Sequence, residues 1–176
     1  QYIRIQACCL TKSHPEVALS LLDRFFALPD QWDQAQAHVD RASALSALGR
    51  YDEAAAAYER ALKREAEFPR LLTGAYIEYP TLVAERKLRQ HYDRGLEVLK
   101  DYQMRVTFPS DRFKWHAASA LILSEIGQET AARENARFAL DAALVSNSGF
   151  RYHQNVGLVT AVHSPLIARL RGLCDA

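Results

Sequence analysis

The chain has 176 residues, enough for one well-buried domain, and its 49% hydrophobic and 24% charged residues are those of an ordinary globular protein. Twenty-two basic residues stand against 21 acidic ones, a net charge of +1, so no broad field draws the chain to nucleic acid or to an anionic membrane. No apolar run reaches the roughly 20 residues of a membrane-spanning helix, so no membrane partner and a cytoplasmic setting are expected.

The chain opens at Gln1 without a methionine, and "YIRIQACCL" reads as the middle of a helix, so a fragment of a longer chain is expected and a missing leader stays open. Cys8, Cys9 and Cys174 include an adjacent pair and no Cys-x-x-Cys, which suits neither a disulfide framework nor a zinc site. They read as buried reduced thiols.

Helix signals follow in chain order. In "SHPEVALSLLDRFF" Ser13 and Glu16 have capping-box spacing, Pro15 sits in the first turn, and Val17, Leu21, Leu22, Phe25 and Phe26 recur at a helical period. Pro29-Asp30 stops that helix, and Asp30 caps "QWDQAQAHVDRASALSAL", which ends at Gly49. Residues 51–67 form its antiparallel neighbour, and Phe68-Pro69 breaks again. "LLTGAYIEYPTLVAERKL" holds Gly74 and Pro80, and reads as one kinked helix or two short ones. "YDRGLEVLKDYQMRV" follows, then Pro109-Ser110-Asp111 as break and cap, "RFKWHAASALILSEI" ending at Gly127, and "ETAARENARFALDAALV" running to the Asn147-Ser148-Gly149 turn. "FRYHQNVGLVT" loses the period and is expected to run extended before Ser164-Pro165 opens a last helix striped by Leu166, Ile167, Leu170 and Leu173. Helices joined by short loops pack antiparallel, so this is a run of hairpins.

The hairpins repeat. A shift of 78 residues lays "ALGRYDEAAAAYERAL" on "SEIGQETAARENARFAL": Ala42, Ala54 and Ala61 meet Ala120, Ala132 and Ala139, Leu45 meets Leu123, Gly49 meets Gly127, and His38 meets His116. Tyr92, Gly95 and Leu99 echo the pattern more weakly, as do Ala18, Leu22 and Phe25, with copies 36, 41 and 37 residues apart. A small residue on each helix lets backbones approach to the 8–10 Å at which packed helices lie.

These residues resemble the turn and second helix of a tetratricopeptide repeat, whose period is about 34 residues. The resemblance is strongest over 35–68, fair over 113–145 and weakest over 1–28 and 70–107, where an insertion surrounds Gly74–Pro80. The family's first-helix tryptophan is missing, since Trp32 and Trp115 lie out of register. The resemblance implies an all-α fold: a single right-handed α-α superhelix of four hairpins over about 1–28, 31–68, 70–107 and 110–145, with tail and capping helix over 146–176.

The resemblance further implies that first helices line a concave groove for another protein or peptide, in an adaptor or scaffold role. Projected onto this chain, the groove positions are Gln36, Val39, Asp40, Ser43 and Ser46 in the second unit. In the fourth they are Lys114, Ala117, Leu121 and Glu125, with Tyr79 and Arg86 as neighbours from the third. Family members that clamp a terminal carboxylate place lysine, asparagine and arginine in the groove. Asp40 and Ser43 stand there instead, so no such clamp is expected. Several of these residues could equally be plain solvated surface.

Two further features invite a ligand. Arg86, Lys87, Arg89 and Arg94 cluster in "ERKLRQHYDR", where a small ligand or nucleic acid is the alternative reading to a solvated charged face. Arg151, Tyr152 and His153 in the tail form either a contact loop or packing across the last hairpin. The six histidines have no metal-ligand spacing, and neither a phosphate loop nor a nucleophile elbow occurs. No metal, cofactor or catalytic role is expected.

Overall fold

A computed structural model describes residues 2–29 and 32–175, and among them every regular element is helical. The α-helices are α1 Tyr2–Leu10, α2 Pro15–Phe26, α3 Gln34–Ala47, α4 Tyr51–Glu67, α5 Ala75–Glu85, α6 Tyr92–Asp101, α7 Pro109–Glu125, α8 Glu129–Ala143 and α9 Ser164–Asp175. Short 3₁₀ turns precede α6 and α9 and follow α6. The all-α class expected from the periodicity is therefore found. The chain divides into two compact units, Gln1–Tyr79 and Pro80–Ala176, the division falling inside α5.

The hairpin turns explain the glycines. At the end of α3, Gly49 has φ +73° and the Arg50 amide donates to the Leu45 carbonyl at 2.9 Å, while Gly49 N donates to Ser46 O at 3.1 Å. At the end of α7, Gly127 has φ +79°, Gln128 N donates to Leu123 O at 2.9 Å, and Gly127 N to Ser124 O at 3.1 Å. Both are Schellman closures, in which a left-handed residue turns stranded carbonyls back onto amides. The α5 end repeats the long bond, Leu88 N to Val83 O at 3.0 Å, but with Lys87 at φ +53° where the other turns have glycine.

In the first unit α1 packs on α2, α3 on α4, and α3 also touches α1 and α2. Ala7, Leu22, Phe25 and Ala37 form one apolar cluster, joined by Ile3, Leu21 and Phe26. In the second unit α7 packs on α8, α6 on α7, and α9 lies across both α7 and α8. The alanines of the repeat are all sealed: Ala18, Ala42, Ala54, Ala61, Ala120, Ala132 and Ala139 are 0% exposed. Gly95 serves the same end, because a Cβ there would lie 3.3 Å from Ile122 Cδ1 and 3.5 Å from Val83 Cγ1.

Several local expectations are corrected. The box between Ser13 and Glu16 does not form: His14 is the N-cap residue, its amide bonded to Leu10 O at 2.8 Å, so the chain leaves α1 in a continuous turn and Ser13 stands one residue too early. Asp30, expected to cap α3, lies outside the described residues; α3 starts after Asp33. Of the two readings offered for the Gly74–Pro80 stretch, the single helix is found, over 75–85 with Pro80 inside it. Cys8 and Cys9 are exposed, since α1 buries only Ala7, and Cys174 on α9 is half-buried. The 150–160 segment is a chain of turns rather than an extended run.

Candidate functional site

In the first unit, burial sorts the projected groove residues. Asp40, 3% exposed, accepts from Arg4 Nη1 at 2.8 Å and from Gln36 Nε2 at 3.1 Å, and Arg4 Nε lies 3.5 Å from Asp33. Burial alone would lower the Arg4 pKa, but the bond to Asp40 and its charge raise it overall, so the pair is charged and closed. Val39 is buried and Ser43 is hydrogen-bonded to Tyr58, whose hydroxyl is driven up in pKa by burial and then by Glu78. Ser46 Oγ is buried with no partner. Tyr79 is fully buried, with its hydroxyl donating to Glu59 Oε1 at 3.0 Å.

In the second unit, Ala117 and Leu121 are core residues, while Lys114 and Glu125 keep part of their surface open. Glu125 draws in the cations of the 85–94 cluster: Lys87 Nζ lies 2.6 Å and Arg89 Nη2 3.4 Å from its oxygens. The Lys87 hydrogen bond leads in lowering its pKa, and Arg89 adds to that. Arg94 pairs with Glu97 one turn on. Arg86 is exposed on a cavity of about 280 Å³ shared with Glu85, His163, Pro165 and Arg169.

The tail is tied down around Gly157 and Phe108. Ser110 N donates to Gly157 O at 2.8 Å, and Gly157, at φ +67°, lies so close to the Phe108 ring that a Cβ would stand 2.3 Å from it. Arg151, Tyr152 and His153 are exposed, with the Arg151 guanidinium over the Tyr152 ring. α9 buries Leu166 and Leu170 and packs on α7 and α8.

The two repeat-matched histidines occupy different surroundings. His116 Nδ1 is 2.9 Å from Asn135 Oδ1 on α8, with Phe138 at 5.1 Å between ring centres. His38 stacks on Phe26 at 4.5 Å, and its Nδ1 is buried without a partner. It faces a cavity of about 220 Å³ lined by Gln34, Arg60, Lys63, Arg64 and Glu67. Burial, then Arg60, Arg41 and Arg64, push its pKa down to about 4.

Two polar anchors went unseen in the chain. Arg4 and Asp40 are 36 residues apart and carry no local signal. Glu65 did carry one. It continues the Ala54–Tyr58–Ala61 stripe at helical spacing, so its carboxylate had to be buried, and it receives the Thr73 amide at 2.9 Å as well as the Thr73 hydroxyl. Comparison with family models, with curated proteins and with solved structures gives no match to this chain.

Proposed function

We propose that the chain is a protein-interaction module of the tetratricopeptide-like kind, a right-handed superhelix of hairpins whose first helices hold a peptide or helix of another protein. The reading is supported above all by one observation. The small residues at matching offsets, Ala18, Ala54, Gly95 and Ala132, are all buried, and two of the hairpins close with the same hydrogen bonds 78 residues apart. Repeats of this sort stack to bury a continuous core and leave a face for a partner. On this reading the polar positions that keep open surface, Gln36 and Ser43 in the first unit and Lys114 in the second, meet the ligand backbone. Val39, Asp40, Tyr79, Ala117 and Leu121 shape the wall beneath. Nucleic acid binding through residues 85–94 is less favoured, because Lys87, Arg89 and Arg94 already face carboxylates.

The test is selection from a displayed library of random peptides on the intact chain, followed by calorimetry. Enriched peptides should bind with micromolar affinity and lose tenfold or more, about 1.4 kcal/mol, with Gln36→Ala and Ser43→Ala together or with Lys114→Ala, at unchanged circular dichroism. No enrichment, or binding indifferent to those substitutions, overturns the groove reading.

A further inference from the structure

Away from the groove positions, α3 and α4 enclose a second polar feature. His38, on the face of α3 that also carries Gln34 and Arg41, lies against Arg60, Lys63 and Arg64 of α4. Four cations thus surround one ring, with the carboxylates of Asp23, Glu53 and Glu67 among them, Glu53 being held by Arg50. Asp23 is engaged by Arg41 and Glu67 by Arg64 at 3.0 Å. Arg60 and Lys63 have no carboxylate within ion-pair distance among the described residues.

Three details make this more than a charged surface. Two of the buried polar atoms without a hydrogen-bond partner, His38 Nδ1 and Arg64 Nε, belong to residues lining this one cavity. Such atoms cost stability unless something occupies them. Two of the guanidiniums pack on rings, Arg64 of the cavity lining over Phe68 at 4.0 Å and the neighbouring Arg41 over Phe26 at 5.3 Å, which restrains them before any ligand arrives. The α7–α8 hairpin supplies an internal control. There Phe138 and Asp141 replace Arg60 and Lys63 at the 78-residue shift, and Asn135 satisfies the matching histidine.

We propose that the cavity between α3 and α4 at His38 binds a phosphate dianion, with Arg60, Lys63 and Arg64 as its counter-charges. Planar guanidiniums and an ammonium suit tetrahedral oxyanions, and the ring opens a further donor position when protonated. Anion and proton then assist each other. Burial first, and then the field of Arg60, Arg41 and Arg64, keeps the ring neutral; a bound dianion offsets that field, so it raises the His38 titration midpoint, and acidification tightens binding in return.

The probe is inorganic phosphate, with O-phosphoserine in a parallel arm, titrated into the intact chain at constant ionic strength while the histidine ring resonances are followed by NMR. A saturable shift of His38 at millimolar phosphate or below, with a raised midpoint and an unmoved His116, is the expected result. The exposed-residue variant R60A/K63A should keep its fold and bind at least tenfold more weakly. Tighter binding of phosphoserine assigns the phosphate to a modified side chain, and equal binding assigns it to any small phosphate. A shift no larger than chloride produces, equal binding of acetate, or an unaltered affinity in R60A/K63A overturns the proposal.

Discussion

The α3–α4 and α7–α8 hairpins are two versions of one unit, and they differ where they touch water. Their inner faces agree at the small positions of the repeat, Ala42, Ala54 and Ala61 against Ala120, Ala132 and Ala139, all sealed, with the same left-handed glycine and the same pair of amide bonds at the turn. Their outer faces part. The first pair carries Arg60, Lys63 and Arg64 over an unpartnered histidine, while the second carries Phe138 and a satisfied one. What covers each pair differs too, α2 with Phe25 in the first and α9 with Leu170 in the second. Packing geometry tolerates little change, because the distance between two helices admits only small side chains at the crossing. Surface chemistry carries no such constraint and can diverge.

The sharpest way to break this comparison is to remove what covers each hairpin. Phe25 and Leu170 are both 0% exposed, and truncation to alanine should cost about 3–5 kcal/mol for Phe25→Ala and about 2–5 kcal/mol for Leu170→Ala. Denaturant unfolding of the purified variants reads both. A cost under about 1 kcal/mol at Leu170 would show that α9 does not cap its hairpin.

A pH titration separates the hairpins next. The folded His38 midpoint of about 4 lies below its ordinary 6.5, so the folded chain resists the proton more than the unfolded one. Its contribution is complete above about pH 6.5 and is lost as pH falls towards 4. Because water still reaches part of the ring, the loss should be about 1–2 kcal/mol, less than the bare shift implies. Unfolding curves in phosphate-free buffer between pH 7 and 4 should show it, and His38→Asn should flatten the slope.

The turns give the smaller effects. Gly49→Ala and Gly127→Ala meet open space, so backbone strain at positive φ is their main cost, about 1 kcal/mol each and alike for the two sites. Lys87→Gly should act in the opposite sense, gaining less than about 1 kcal/mol, since relief at φ +53° is partly cancelled by the lost Glu125 contact. Thermal melts of the three variants would rank them.

Much of the fold was legible because helix periodicity and turn chemistry are local. Residues 51–67 read as a helix and α4 is Tyr51–Glu67, and Gly49 and Gly127 read as helix ends and have the positive φ of such ends. The misread places depend on neighbours. Ser13 lost its cap to the turn leaving α1, and the tail's turns are organised by Phe108, some forty residues upstream of Phe150 in the chain, which the tail's own residues cannot announce. The candidate sites were legible only in part. The repeat resemblance placed Gln36, Val39, Asp40 and Ser43 together on α3, but their burial depends on Arg4 and on Tyr58, which meet them through space. The cations around His38 were invisible for the same reason, being split between α3 and α4 and paired by a crossing no local pattern encodes.

The central claim is that alanine-sized side chains at matching offsets set the distance between paired helices. It is tested most directly by a size series, Ala→Val→Leu, at Ala54 and at Ala132, with stability measured by denaturant unfolding. Stability should fall with each added methyl or methylene at both positions, reaching about 1–3 kcal/mol or more at leucine. Leucine accepted without loss at either position would contradict it.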